Sequence, residues 1–171
     1  MKYILETKRL RLRELTLDDV PFIVALLNSP GWLQFIGDRN VRNPEQAKQY
    51  LENGPLKSYK ENNYGIWLVE TKEEKNAIGT CGIIRREHLD HPDIGFAFLP
   101  EQMAKGYAYE MAHATLNYAK DKLKIFPILA IVVAENHKSI SLLERIGLQF
   151  IKTFYLPGDK KELLLFSTKG S

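Results

Sequence analysis

The sequence DIGFAFLPEQMAKGYA, residues 93–108, joins a predicted strand to a predicted helix. The strand runs from Asp93 to Leu99, and Pro100 ends it because proline cannot donate to a sheet ladder. A helix follows from about Gly106 to Leu123, where small and apolar residues recur at the i, i+3, i+4, i+7 spacing of one buried face. Between them lies a loop at the carboxyl end of a strand, which is where open α/β sheets bind ligands.

This loop could bind a phosphate through its backbone alone. The first N–H groups of a helix have no acceptor within the helix, and the helix dipole adds about half a positive charge there. Gly106 with the small Ala104 and Ala108 would let a phosphate approach closely, and Lys105 could add a charge. The same residues also fit a plain strand-to-helix turn in which Gly106 supplies backbone freedom. Spacing alone leaves both interpretations open.

Two common nucleotide-binding motifs do not match the loop. A P-loop needs Gly-Lys followed by Ser or Thr, whereas Lys105 precedes Gly106. A dinucleotide fingerprint needs three glycines after the strand, and this loop contains one.

Outward from this segment, the sequence predicts seven strands and four helices in mixed order. The predicted strands lie near residues 10–13, 66–69, 77–84, 93–99, 128–134, 151–155 and 162–166, and the helices near 20–27, 44–53, 106–123 and 137–146. Because a helix separates the strands at 93–99 and 128–134, these two should be parallel and joined by a right-handed crossover.

Length and composition are those of a folded globular protein. The 171 residues fit one domain, 1–171, and the hydrophobic (44%), charged (26%) and aromatic (11%) fractions are ordinary. No apolar run approaches the roughly 18 residues that cross a bilayer, so no membrane association is expected. Charged residues at Glu6 and Lys8 interrupt any signal-peptide core, and we expect a cytoplasmic protein.

Charge and cysteine content exclude further classes. The net charge of +3 is small and its basic residues are dispersed, so nucleic acid is not an expected partner. The single cysteine, Cys81, excludes an intrachain disulfide and a cysteine-based zinc cage, and we expect it to be a buried apolar residue. His88 and His91 lack further ligands at metal-binding spacing, so no metal is predicted.

Several segments together resemble the GCN5-related N-acetyltransferases, the GNAT family. They are residues 93–100, the loop 104–108, and Asn136 to Ser139 with Gly147 after a short helix. The opening residues 6–13 are similar to the branch of ribosomal-protein N-terminal acetyltransferases. The resemblance covers nearly the whole chain. It implies an α/β (α+β) fold with a mixed, mostly antiparallel central sheet of about seven strands, a splayed parallel pair and about four flanking helices.

The resemblance also implies acetyl-CoA as co-substrate. The family holds its pyrophosphate on the amides of a Gln/Arg-x-x-Gly-x-Gly/Ala loop; Gly106 and Ala108 fill the last two places, and Met103 departs from the first. The thioester arm inserts between the splayed strands, and Asn136 matches a residue that binds it, although Asn136 would also cap the next helix. The implied cofactor-binding residues are Phe98, Leu99, Ala104, Lys105, Gly106, Tyr107, Ala108, Tyr109 and Asn136.

For catalysis, the resemblance points to one acid and two candidate bases. The family's usual tyrosine acid is replaced by Leu143. In the branch that this chain resembles, a serine at the position of Ser139 can protonate the departing coenzyme A thiolate. The alternative is that Ser139 only forms hydrogen bonds to the backbone of the helix. Asp93 and Glu87 are the candidate bases, although carboxylates at strand ends are common. A histidine of the adjacent loop could serve instead, or lie in solvent.

The implied function is direct acetyl transfer to a primary amine in a ternary complex. The acceptor would be a protein N-terminal α-amine or a small amine such as a polyamine, aminoglycoside or amino acid. We expect the acceptor pocket at the first two helices, with Trp32, Phe35, Tyr59 and Tyr64 as wall residues unless they are plain core. The alternative is a non-catalytic acyl-CoA-binding or sensing module on the same fold. A monomer and a homodimer both remain open.

Overall fold

The computed structural model describes residues 1–169, whose strands form one mixed sheet. The strands are β1 (Tyr3–Glu6), β2 (Leu10–Arg13), β3 (Ile66–Thr71), β4 (Ala77–Ile84), β5 (Asp93–Phe98), β6 (Leu129–Val133), β7 (Gln149–Tyr155) and β8 (Glu162–Ser167). The helices are α1 (Val20–Leu27), α2 (Pro30–Phe35), α3 (Pro44–Asn53), α4 (Pro55–Asn62), α5 (Tyr107–Asp121) and α6 (His137–Arg145). The strand order is β1-β2-β3-β4-β5-β6-β8-β7, and neighbours are antiparallel except β5 and β6.

The predicted mixed, mostly antiparallel sheet and the parallel pair around α5 are confirmed. The predicted element count was too low, because the described chain has eight strands and six α-helices. The four-residue strand β1 is short and largely exposed, so it has little hydrophobic pattern. Pro55 begins a new helix rather than kinking the old one, because a first-turn residue needs no N–H donor.

Helices cover both faces of the sheet. Alternate residues of a strand point to opposite faces, and in β3 Leu68 packs with the α1 and α3 side chains whereas Trp67 packs with α5 and α6. Cys81 lies on the α5 face, fully buried, where its thiol donates to Thr115 Oγ1 at 3.3 Å. Burial raises the pKa of that thiol to about 12, so Cys81 is an inert core residue, as predicted. Within residues 1–169, no helix has the length and apolar character needed to cross a membrane.

The parallel strands β5 and β6 separate soon after they begin. In the described chain they pair only through Asp93 and Leu129, the first residue of each strand. Each keeps its other neighbour along its length: β5 pairs with β4 from Asp93 to Phe98, and β6 pairs with β8 throughout. A gap therefore opens between β5 and β6 toward their carboxyl ends.

Candidate active site

The gap between β5 and β6 has backbone groups on its β5 side that no strand pairs. Leu99 N–H donates to the Ile78 carbonyl on β4 at 3.0 Å, and the Pro92 carbonyl accepts from Leu129 N–H on β6 at 2.9 Å. Since backbone groups of successive strand residues point in opposite directions, Phe96 and Phe98 direct their N–H and C=O groups away from β4. These groups face the gap, where an extended ligand could pair with them as an added strand does.

One predicted cofactor contact does not fit this register. Both backbone groups of Leu99 are engaged, because its carbonyl accepts from Gln102 N–H at 2.9 Å while its own N–H bonds Ile78. The Leu99 N–H is therefore not available to a thioester arm, and its carbonyl already accepts one hydrogen bond. The N–H and C=O groups of Phe98 do point into the gap. Those of Phe96, which was not among the predicted cofactor-binding residues, have the same orientation. Without the register, strand period alone could not say which of two adjacent residues faces the gap.

At the open end of the gap, the loop before α5 presents a row of unbonded N–H groups. Ala104 (φ 60°) and Gly106 (φ 82°) both adopt the left-handed conformation, and alternation of this kind turns successive amides toward one concavity. Gly106 is the N-cap of α5, no side chain caps the helix, and the first helical bond runs from Glu110 N–H to the Gly106 carbonyl at 3.1 Å. Among residues 1–169 the N–H groups of residues 104–109 have no acceptor.

Arg9 holds this loop in place, and sequence reasoning did not assign it a role. Its Nη1 donates to the Lys105 carbonyl at 3.0 Å, and its guanidinium lies 4.5 Å from the centroid of the Tyr107 ring. Arg9 Nε and Thr7 Oγ1 also donate to the Glu110 carboxylate, at 2.8 and 2.6 Å. Burial would raise the pKa of Glu110, but these hydrogen bonds hold it below its ordinary value. Arg9 thus adds a positive charge beside the amides.

The helix α6 begins at the same end of the sheet, directly after β6. Asn136 caps it, because its Oδ1 accepts from Ser139 N–H at 3.3 Å. The Ser139 hydroxyl is half-buried and makes no hydrogen bond to the described residues, so it does not serve as a backbone-bonding serine. Leu143 is 2% exposed and packs in the core on the α5 side of the sheet. A second cation lies close by, since the Arg145 guanidinium is 4.4 Å from the Tyr109 ring centroid.

The two candidate bases lie at the opposite, closed end of β5. Asp93 is 1% exposed, and Arg86 Nε donates to its Oδ1 at 2.9 Å. Burial raises the pKa of Asp93, while Arg86 acts to lower it. Glu87 is exposed in the loop between β4 and β5, as are His88 and His91. The six residues of β5 span about 20 Å, so Asp93 and the amide loop stand at the two ends of the gap.

A groove of about 760 Å³ runs beside this closed end, between α3, α4 and the end of β4. Tyr50 lies on its α3 side, and Ile66, Ile83 and Ile84 line the sheet side. Among residues 1–169, no group of His, Cys, Asp and Glu could hold a metal ion.

The aromatic residues predicted to wall the acceptor pocket do not line this groove. These are Trp32, Phe35, Tyr59 and Tyr64. The Tyr59 hydroxyl, for example, donates to the Ile66 carbonyl and accepts from Leu15 N–H, which makes it a structural link between helix and sheet. Their apolar character indicated burial, but only the packing of the helices decided which surface they face.

Comparison with known proteins places this arrangement in a family. Residues 9–149 match the family model described as an acetyltransferase (GNAT) domain. The chain belongs to the GNAT acetyltransferases. The resemblance noted in the sequence is therefore confirmed.

Individual GNAT relatives match over most of the chain. The uncharacterized N-acetyltransferase YoaA of Bacillus subtilis is 30% identical over 148 residues, which are 85% of this chain and 82% of YoaA. The spermidine N(1)-acetyltransferase of Vibrio cholerae is 26% identical over 170 residues, 94% and 95% of the two chains. An alpha-N-acetyltransferase of a ribosomal protein, solved in complex with coenzyme A, superimposes with a TM-score of 0.78 at 15% identity, covering 97% of both chains.

The site has the features that acetyl-CoA, the GNAT co-substrate, requires of a protein. Six successive N–H groups without acceptors, residues 104–109, suit a pyrophosphate. The unpaired backbone of Phe96 and Phe98 suits an arm that contains amides. Arg9, Lys105 and Arg145 place three cations around the loop against one carboxylate, Glu110, which pairs with Arg9, and this excess favours a ligand with several phosphates.

Proposed function

We propose that this GNAT protein transfers the acetyl group of acetyl-CoA directly to a primary amine in a ternary complex. The observation that carries the proposal is the gap between β5 and β6 that ends at a loop of unbonded amides. In this arrangement the amides of residues 104–109 bind the pyrophosphate, assisted by Arg9 and Lys105. The arm lies along β5, paired with Phe96 and Phe98, and points the thioester toward Asp93.

The reaction requires two proton transfers, one from the acceptor ammonium and one to the departing coenzyme A thiolate. The acceptor enters as an ammonium and must lose a proton before its nitrogen attacks the thioester carbonyl carbon. Asp93 is the preferred base, because burial raises its pKa; since it lies at the closed end of the gap and Ser139 at the open end, the ammonium proton reaches Asp93 through water in the gap. Exposed Glu87 is the second candidate. As the C–N bond forms and the C–S bond breaks, Ser139 gives its hydroxyl proton to the departing thiolate and takes up the second proton that the attacking nitrogen releases, so that the hydroxyl is restored.

The Ser139 hydroxyl is expected to contribute to turnover and not to coenzyme A binding. We expect Ser139→Ala to lower kcat about tenfold, since a hydrogen bond to a charged group is worth about 1.5 kcal/mol or more. The dissociation constant for coenzyme A should stay unchanged. Steady-state kinetics of thiol release and calorimetry measure the two quantities.

Ser141→Ala is the matched control for this serine. Ser141 is exposed on the same helix, two residues further along. Its replacement should leave kcat unchanged. Equal kcat values for the two variants would contradict the role of Ser139.

The proposed function is tested by separating binding from transfer. Calorimetry with coenzyme A measures binding, and thiol release from acetyl-CoA is followed with a panel of amines that includes peptides, amino acids, aminoglycosides and polyamines. We expect micromolar binding and amine-dependent release. Tight binding without release on any amine would identify an acyl-CoA-binding module, and an absence of binding would refute the proposal.

A further inference from the structure

The groove beside the closed end of β5 carries more positive than negative charge. Four basic side chains line it, Arg39, Lys57, Arg85 and Arg86, against one acidic side chain, Glu61. Lys57 lies 3.9 Å from Glu61 and Arg86 lies 2.9 Å from Asp93, so these two cations have partners. Within residues 1–169, neither Arg39 nor Arg85 has an ion pair or a side-chain hydrogen bond. Both are exposed.

Tyr50 lies among these charges in the groove lining. Its hydroxyl makes no hydrogen bond to the described residues. Burial raises the pKa of this phenol, while the charges of Arg39 and Arg86 act to lower it. Arg39 from the α2–α3 loop and both Arg85 and Arg86 from the β4–β5 loop line the same groove as Tyr50. The groove thus combines free donors with a positive potential.

The groove lies where the acceptor of the proposed reaction has to lie. Its sheet side includes Ile83 and Ile84, which pair with Ile94 and Asp93 of β5. A Cβ built on Gly95 would lie 2.9 Å from Ile84 Cδ1, so the Ile84 side chain packs directly on β5 and forms the wall between β5 and the groove. Asp93 is 1% exposed and does not line the groove, but Arg86, which bonds it, does, so an amine at this end of β5 leaves the remainder of its molecule among the arginines.

We propose that the acceptor is a primary amine whose own molecule carries a carboxylate, which Arg39 and Arg85 bind. This inference rests on the proposed acetyl transfer and names its substrate class. The planar guanidinium fork matches a carboxylate in geometry as well as in charge. A polycation meets net electrostatic repulsion in the same place, because the four basic side chains outnumber the one carboxylate, Glu61, which lies 3.9 Å from Lys57. The groove therefore selects against spermidine, the substrate named for the Vibrio cholerae relative.

Matched acceptor pairs test the selectivity. The first pair is an amino acid and its amide. The second pair is an amidated peptide with aspartates at its second and third positions and the same peptide with asparagines there. Spermidine is assayed as a single acceptor. We expect kcat/KM for the carboxylate member to exceed that for its neutral partner at least tenfold, and spermidine to be the poorest acceptor. The pair with the larger ratio tells a small amino acid from a peptide N-terminus.

The variant Arg39→Gln/Arg85→Gln tests whether these residues are the cause. We expect KM for the acidic acceptor to rise at least tenfold, with kcat, the neutral partner's KM and coenzyme A affinity unchanged. Arg11→Gln, which changes an arginine paired with Glu6 on β1, should retain the preference. Raising the salt concentration should raise KM for the acidic acceptor and not for its neutral partner, because salt screens the attraction between the arginines and the carboxylate.

The outcomes separate this inference from the proposed function. If spermidine or the neutral partners are acetylated with the same kcat/KM as the acidic acceptors, the proposed acetyl transfer is supported and the selectivity is refuted. A preference that survives in the double variant would likewise refute the role of Arg39 and Arg85. If no amine supports thiol release, the acetyl transfer itself is wrong, and the inference falls with it.

Discussion

Replacing Gly106 by valine is expected to weaken coenzyme A binding about 100-fold. Gly106 has a φ of 82°, a conformation that costs a residue with a Cβ about 1–2 kcal/mol and a β-branched one more. A Cβ there would also lie 3.3 Å from Arg9 Nη2, the cation that holds the loop. Relief of this strain turns the amides of residues 104–109 away from a common centre. Losing two charge-assisted hydrogen bonds costs about 3 kcal/mol, which is about 100-fold in affinity.

Gly158→Val provides a control with the same backbone strain. Gly158 has a φ of 78°, nearly that of Gly106, and nothing lies within 4 Å of a Cβ built on it. Both variants should lose similar stability in thermal unfolding, whereas only Gly106→Val should lose affinity in calorimetry. If the two variants bind coenzyme A equally, the amide loop is not the pyrophosphate site.

Replacing Arg13 by methionine is expected to cost about 3–5 kcal/mol of unfolding free energy, because it leaves two buried carboxylates without their cation. Arg13 donates to both Asp19 oxygens at 2.9 and 2.8 Å and to Glu70 at 3.1 Å. All three side chains are less than 10% exposed. Hydrogen bonds from Arg13 to Asp19 raise the pKa of the guanidinium, which stays charged at every pH where the protein folds. Such a loss is a large part of the about 5–15 kcal/mol that holds a domain folded.

Chemical denaturation of Arg13→Met and Arg11→Met measures this difference. Arg11 lies on the same strand, but its partner Glu6 is half exposed, so its loss should cost about 0–1 kcal/mol. Adding Asp19→Asn and Glu70→Gln to Arg13→Met should recover part of the stability, because no unpaired charge then stays buried. Similar unfolding free energies for the two single variants would contradict the expected weight of this cluster.

Local pattern was sufficient for much of the fold. The β5–α5–β6 unit, the start of α5 at Gly106 and the N-cap at Asn136 all follow from neighbouring residues, because helix periodicity, caps and left-handed turns are local interactions. The strand β1 was missed because four residues with two exposed ends carry no clear alternation. The helix α4 was not predicted, since Gly54-Pro55 indicates an end or a kink of the helix that begins near Pro44, whereas a new helix starts at Pro55.

Only the parts of the candidate site that depend on neighbouring residues were predicted. The amide loop could be identified from its small residues, whereas Arg9 could not, because it is 101 positions from the Glu110 that it contacts. The choice of Phe98 over Leu99 required the strand register. The aromatic residues proposed for the acceptor pocket pack elsewhere, and Tyr50 with Arg39 lines the groove instead.

By itself, the sequence determined the family and the local chemistry of the loop: a glycine where φ is positive, small neighbours and an uncapped helix start. Tertiary structure alone settled which backbone groups stay unpaired between β5 and β6, and which charges meet in the groove and at Arg13. The physical reason is that caps and turns depend on residues within one helical turn, whereas register, burial and charge pairing depend on segments that folding brings together from far apart in the chain.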